Sequence, residues 1–441
     1  MQRMTSLVPA DETSQRQRLM DLFREAIRSA LPEHCLTAHL PPVPRGRLVI
    51  FAIGKAAASM AAVAEAHYAR VAPEARIEGI ALTRYGHARP TAHVKVLEAS
   101  HPVPDAAGVA ASEQLLALAA TLGPDDLALV LLSGGGSALA TLPISGVTLA
   151  DKQALTRALL LSGAPIGDIN CVRKHLSRIK GGRLAAVIHP ARMIALAVSD
   201  VAGDDPSVIA SGPTVPDPTT REMALAVLDR YAIDVPNHVR VALTRSTESP
   251  KPGDPVFSAG SYELIASGAR TLDAAARVAA ASGYEIVNLG DRVEGEARDV
   301  AAEHARLALD AKAAGRRVAI LSGGETTVTF EQGTEGGSGG RNQEYALALA
   351  LALRAAPGIS TIAGDTDGID GGSGASNDPA GAIVTPTTLG RASSLGLDAA
   401  SSLKCHNSGG FFAALGDLVV TGPSYTNVND FRAILVEGKP A

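Results

Sequence analysis

The sequence predicts an α/β protein of two α/β domains, each built around its own sheet. Three observations carry that prediction. The chain has 441 residues, and a single hydrophobic core rarely grows past about 250–300. Short apolar, partly β-branched runs alternate with helical stretches along nearly the whole length, the pattern of repeated βαβ units around a mostly parallel sheet. Aromatics make up only 3% of the residues and Trp is absent, so Leu, Ile, Val and Ala must pack the core, as in helix-covered sheets.

Taken in order, Leu19, Phe23, Ile27 and Leu31 recur at helical spacing and predict an opening amphipathic helix over about 14–31. The runs RLVIFAIGK, RIEGIALTRYG, HVKVLEASHP, DLALVLLSGGG and RMIALAVSD then end at Lys55, Gly86, Pro102, Gly136 and Asp200. Each reads as a strand leading into a turn. TESPKPGDP, at 247–255, is rich in Pro, Gly and polar residues and reads as a linker. Domains are therefore expected at 1–245 and 256–441. After the linker come SYELIAS, a helix near 270–282, YEIVNLG, a helix near 295–315, RVAILSGGE, ISTIAGDTDG and FRAILVE. The turn VLLSGGGS at 130–137 returns as AILSGGET at 319–326. No longer repeat accompanies it, and convergent turn chemistry accounts for the likeness.

Net charge is −5, with both signs mixed throughout, so neither nucleic acid nor a membrane surface is an expected partner. Cys35, Cys171 and Cys405 lie far apart and form no CxxC, which argues against a disulfide framework or a zinc site. The N-terminus has no apolar segment of the secretory kind, and the longest apolar tract, Tyr345 to Leu353, falls short of the roughly 20 residues that span a bilayer. A soluble cytoplasmic protein is expected.

In open α/β sheets, ligands bind outside the carboxyl ends of the strands. Here those ends collect Lys55, Ser133 to Ser137, Asp200 with Asp204 and Asp205, Glu325, and Asp365 with Asp367. Helix capping and plain turns explain any one of them; five together point to chemistry. Gly134, Gly135 and Gly136 would let backbone N–H groups approach a phosphate. The turn is nevertheless not GxGxxG, because Leu139 takes the place of the third glycine, and AIGKAAAS lacks the spacing of a Walker A loop. CVRKHLSRIKGGRLAA gathers Arg173, Lys174, His175, Arg178, Lys180 and Arg183. It is either a solvated helix face or a recogniser of carboxylate or phosphate. A glycine-dense loop delivers Arg341 to the start of a helix apolar on nearly all sides. A cation at that positive helix end makes sense if an anion lies beside it. The scattered His87, His101, His175 and His406 are better read as satisfied or exposed side chains.

Seven segments, AIGKAA, LSGGGSAL, VRKHLSRIKGGRLA, SDVAGDDPSVIASGPTVPD, GGRNQE, TDGIDG and TGPSYTNVNDF, stand in the order seen in the bacterial-type glycerate 2-kinases. The chain resembles that family from about Leu48 to Val436, its last three segments lying in what is called the MOFRL domain (about 318–436). The resemblance implies a Rossmann-like first domain, a cleft between the two domains, and phosphoryl transfer from ATP, with Mg²⁺, to the 2-hydroxyl of D-glycerate. It places Lys55, Asp200, Arg341 and Asp367 in the active site, positions also reached from the strand ends. Lys55 and Arg341 are expected to stabilise carboxylate and phosphoryl charge, and Asp200 or Asp367 to act as base or metal carboxylate. Nucleotide binding is assigned to Ser133, Gly134, Gly135, Gly136, Ser137 and Lys180. Substrate binding is assigned to Arg173, Glu325, Asn427 and Asn429, and metal binding to Asp200, Asp204 and Asp365. Assembly as a homodimer is left open. One departure stands out: Ser424 and Tyr425 replace a Thr-Gly pair in the closing motif, and tyrosine is less permissive there than glycine.

The same family has carried the name hydroxypyruvate reductase, an NAD(P)H-dependent chemistry. No GxGxxG opens a helix here and no ribose-binding acid stands at the required offset. A non-catalytic small-molecule sensor would explain pockets but not the surplus of Asp beside Lys55 and Arg341.

Overall fold

Residues 10–330, 336–372 and 377–438 are described in the computed structural model of the chain. Part of the glycine-dense loop before Arg341, at 331–335, lies outside the described residues, as do residues 1–9.

The first sheet contains β1 (Leu48–Ile53), β2 (Ile77–Arg84), β3 (Val94–Ala99), β4 (Leu127–Leu132), β5 (Arg192–Val198) and β6 (Gly260–Ala266). Their order is β3-β2-β1-β4-β5-β6 and every pairing is parallel. This is the strand order of the Rossmann fold. Every residue of β1 and of β4 is buried, which is why both read as unbroken apolar runs rather than alternating ones.

The second half contains β7 (Glu285–Asn288), β8 (Val293–Glu296), β9 (Val318–Ser322), β10 (Gly324–Thr327), β11 (Ile359–Asp365), β12 (Gly381–Val384), β13 (Leu418–Val419) and β14 (Asp430–Val436). Six of these form a sheet in the order β13-β12-β11-β14-β9-β7, while β8 and β10 pair separately. This sheet is mixed: β7 and β9 are parallel and the other pairings antiparallel. The helices expected near 14–31, 270–282 and 295–315 occur as Ala10–Ala30, Gly268–Ala281 and Ala297–Ala313.

The chain divides into two compact units, but not at 245–256. One unit is Leu31–Ala266 and the other joins Met1–Ala30 to Ser267–Ala441. Two facts explain the shift. The strand after the supposed linker, β6, pairs with β5 and so completes the first sheet. The polar stretch itself is stitched down, with Ser249 Oγ donating to Asp217 Oδ2 at 3.0 Å and Arg183 Nη2 donating to the Thr247 carbonyl at 2.7 Å. At the other end, the opening helix buries Leu19 and Phe23 completely, in a core shared with Ile362, Phe431 and Leu435. Among the described residues no helix is long and apolar enough to cross a membrane.

Phe23 lies 5.9 Å from Phe431, ring centre to ring centre. Phe23→Ala should lower stability by about 3–5 kcal/mol, read as a shift of the urea midpoint. The loss should fall on the unit that contains residues 267–441, seen as faster amide exchange there than in residues 31–266.

Candidate active site

In the order β3-β2-β1-β4-β5-β6 the direction of connection reverses between β1 and β4, and ligand crevices open at such a reversal. The turns that leave these two strands interlock. Lys55 N–H donates to the Gly134 carbonyl at 2.8 Å, and Ala56 N–H donates to Ser133 Oγ at 3.1 Å. Gly54 has φ +131°, and a Cβ there would lie 2.2 Å from Ser133 Oγ, so the contact demands glycine. Gly135 has φ +81°; a Cβ on it would sit 3.0 Å from the His101 ring and 3.2 Å from Lys55 Cγ. The stem of Lys55 therefore runs beside the glycine turn. The helix that follows the turn, Gly136–Leu139, is a single turn. It offers backbone N–H groups but not the dipole of a full helix.

Gly135, Ser137, Arg173 and Lys180, assigned from the sequence, line one pocket of 380 Å³ together with His101, Lys152 and Arg157. Among the described residues no Asp or Glu lines it. Lys180 is 1% exposed, and its Nζ donates to the carbonyls of Ser137 (2.7 Å) and Ala140 (2.9 Å). Burial, then the charges of Lys152 and Arg173, hold its pKa well below the usual lysine range. Lys152 is 5% exposed and its Nζ has no hydrogen-bond partner among the described residues. Burial, then the Arg173 charge, brings it down to about 7. Burial also lowers Arg173.

The basic stretch is thus not a solvated helix face. Lys174, His175, Lys180 and Arg183 are all buried. Lys174 and His175 turn toward Asp217, at 3.5 and 4.0 Å, and Arg183 binds the 247–248 backbone. Only Arg173 and Lys180 of the stretch reach the pocket.

Asp200 follows β5, whose C-terminal end lies next to that of β4. In the loop beyond, Asp205 Oδ1 accepts from Ser207 N–H at 2.8 Å. Asp204 adopts φ +58° and its Oδ1 is buried without a hydrogen-bond partner among the described residues. Among the described residues no group of three or more His, Cys, Asp or Glu is arranged to hold a metal ion.

In the other unit, Arg341 begins the helix Arg341–Leu353, most of which is buried. The anion anticipated beside it is supplied by the protein. Arg341 Nε donates to both oxygens of Asp430 (2.9 and 3.1 Å), Nη1 to Glu325 Oε1 (2.7 Å) and Nη2 to Asp365 Oδ2 (3.0 Å) and Asn429 Oδ1 (3.3 Å). Burial alone would lower the guanidinium pKa, but Asp430, Asp365 and Glu325 outweigh it and raise it. Asp367 N–H donates to Asp365 Oδ1 at 3.0 Å, and Asp367 Oδ1 accepts from Ile369 N–H at 2.9 Å. Asn427 Oδ1 accepts from Asn429 N–H at 3.1 Å. Glu325, Arg341, Asp365 and Asp370 line a second pocket of 460 Å³. The Ser-Gly echo at 322–324 differs from its counterpart: it joins β9 to β10 rather than a strand to a helix. Arg432 holds it, donating to the Gly323 carbonyl at 3.1 Å and to Asp430 Oδ2 at 2.6 Å. Tyr425 does occupy the left-handed region, at φ +61°. Ser424 ties that loop down, its Oγ donating to the Thr366 carbonyl at 2.6 Å.

Sequence reasoning missed Lys152, Asp370 and Asp430, and set His101 aside although it lines the first pocket. A signal for Lys152 existed: it lies in helical phase with Leu155 and Leu159, and these three are the buried residues of their helix. Asp370 caps the Arg341 helix, accepting from the backbone N–H groups of Asn342 (3.0 Å) and Gln343 (2.9 Å).

Burial raises the Asp370 carboxyl from 3.8 to about 6; the Asn342 N–H opposes this and the Asp430 charge adds to it. Because the folded pKa exceeds the unfolded one, the stabilisation is complete below about 3.8 and is lost as pH rises through about 6. Between pH 4 and 6, stability from urea unfolding should fall more in the parent than in Asp370→Asn. Over that interval the difference should come to roughly 2 kcal/mol at 1.36 kcal/mol per pKa unit.

With this geometry in hand, comparison with known proteins is informative. Residues 18–244 match a family described as a domain of unknown function (DUF4147), and residues 318–430 match the MOFRL family. The chain is 37% identical to a D-glycerate 2-kinase of Thermotoga maritima over 95% of this chain and 98% of that one. The crystal structure of a glycerate kinase from Thermotoga maritima superposes with a TM-score of 0.86 at 37% identity, covering 96% of this chain and 100% of the other. A protein of Agrobacterium vitis that provisionally carries the name hydroxypyruvate reductase is 49% identical over 97% of this chain and 95% of its own. Matched along nearly its full length by sequence and by structure, the chain belongs to the glycerate kinase family, with a DUF4147 domain followed by a MOFRL domain.

Proposed function

We infer that the protein is a glycerate 2-kinase, which transfers the γ-phosphoryl group of ATP to the 2-hydroxyl of D-glycerate to give 2-phosphoglycerate and ADP. The observation that carries this reading is the construction at the ends of β1 and β4. There Lys55 lies along a glycine turn that opens on a pocket lined by cations and no carboxylate. Such a place accepts a highly charged anion. The names of the relatives supply the reaction class.

In this reading the 2-hydroxyl oxygen bonds to the γ-phosphorus while the bond to the β,γ-bridging oxygen breaks, and the hydroxyl proton passes to a carboxylate. Asp200 and Asp367 divide the roles of proton acceptor and metal carboxylate. Lys55 and Arg341 stabilise the charge of the transferring phosphoryl group and of the glycerate carboxylate. Gly134 to Ser137 offer backbone N–H groups to the nucleotide phosphates, while Ser133, whose own N–H is bonded to the Ile53 carbonyl, supports the turn; Glu325, Asn427 and Asn429 hold Arg341 and its surroundings for the substrate. The carboxylates fit Mg²⁺, a hard ion that takes one or two protein oxygens and completes its shell from water and phosphate. Asp204 has a buried oxygen to give, whereas both oxygens of Asp365 already accept hydrogen bonds. Bound there, the ion would neutralise phosphate charge. A cytoplasmic location goes with this reading.

The reductase name has less behind it. A dinucleotide on this strand order would lay its pyrophosphate on the first strand-to-helix turn. Here Ser133 fills that turn, accepting the Ala56 N–H and abutting Gly54.

Incubation with D-glycerate, ATP and Mg²⁺ should release ADP and 2-phosphoglycerate, distinguished from the 3-isomer by NMR. Loss of hydroxypyruvate with NAD(P)H, without ADP release, would overturn the kinase reading. Lys55→Ala should cost about 100-fold or more in kcat with an unchanged circular dichroism spectrum.

A further inference from the structure

The pocket beside the glycine turn has more structure than a phosphate cradle needs. Its floor carries Lys152, Arg173 and Lys180, while Val103, Leu149 and Leu160 are among its apolar lining residues. Val103 and Leu160 are 53% and 57% exposed, so they present apolar surface to whatever enters the pocket. Lys180 spends two of its protons on backbone carbonyls. Lys152 Nζ donates to nothing, although the residue is almost entirely buried. A buried ammonium without a partner is expensive unless an anion joins it. The volume, 380 Å³, is that of a site for a nucleotide-sized ligand, larger than a three-carbon acid requires.

We propose that this pocket seats the whole nucleotide, with Lys152 as a phosphate-binding residue beside Arg173 and Lys180 and with the base against Val103, Leu149 and Leu160. The assignment rests on the kinase reading for the identity of the ligand, and on the pocket alone for its chemistry. One consequence follows from the residues that line the pocket with Lys152, namely the cations Arg173, Lys180 and Arg157 and the side chains of His101, Gln153 and Thr156. A polyphosphate entering this set favours the charged form of Lys152, which stands near neutrality without it. Nucleotide binding then takes up a proton at pH 7.5–8.

Calorimetric titration of the full-length protein with ADP, tripolyphosphate and, separately, D-glycerate tests this. Lys152→Met, which removes a buried charge at similar volume, should weaken ADP and tripolyphosphate at least 10-fold and leave D-glycerate unchanged. The dependence of the binding heat on buffer ionisation, present in the parent, should shrink in this variant. Leu160→Asp, at the exposed rim, should weaken ADP but hardly tripolyphosphate. Undiminished ADP affinity in a folded Lys152→Met protein overturns the proposal, as does a loss confined to D-glycerate. If ADP binds as described but no phosphoglycerate forms from ATP and D-glycerate, the kinase reading fails and the pocket assignment stands.

Discussion

The placement of the charged groups at the ends of β1 and β4 follows from the complete burial of those two strands. Strands covered on both faces admit no charge along their length. Charge can appear only where a strand ends, and at the reversal in strand order two such ends lie side by side. The hydroxyl of Ser133 then does for the Ala56 amide what a longer cap would do elsewhere, and Gly54 is the residue that allows the approach. The sheet brings Lys55, Ser133 to Ser137 and Asp200 to one edge, and the bonds between the turns after β1 and β4 lock the first two together.

The two units handle buried charge in opposite ways. Around Arg341 the charges are matched: three carboxylates face one guanidinium, Asp430 is shared with Arg432, and the network is bonded within the protein. Around Lys152 they are not, because cations meet cations with no carboxylate on the pocket wall. A matched network fixes geometry, and an unmatched one keeps an unmet demand for an anion. The first suits a residue that must be held in one orientation, the second a ligand that comes and goes.

Much of this could be read from the chain itself. Strand ends, parallel runs and the main helices were visible because burial on both faces and amphipathic periodicity leave plain marks in the residue pattern. The division into units was not visible. A Pro- and Gly-rich stretch looks the same whether it links two domains or lies against one, and nothing local in TESPKPGDP announces that β6 will pair with β5. The sign of the surroundings was equally hidden. Arg341 at a helix start implied an anion, but a sequence cannot say whether that anion is a ligand or Asp430, some 90 positions away. Lys152 was overlooked because a lysine in a helix is ordinarily read as solvated. Its phase with Leu155 and Leu159 was the contrary sign.

The helix Ala10–Ala30 has a consequence for how the protein is made. It leaves the ribosome before residues 31–266, yet the residues that bury Leu19 and Phe23 are Ile362, Phe431 and Leu435. Residues 31–266 come between, and at roughly 5–20 residues per second they alone take on the order of 10–50 s to synthesise. For that interval an apolar helix face waits for a core that does not yet exist, while a complete parallel sheet can form behind it. The synthesis of this unit therefore brackets that of the other, and its assembly closes a loop more than 200 residues long.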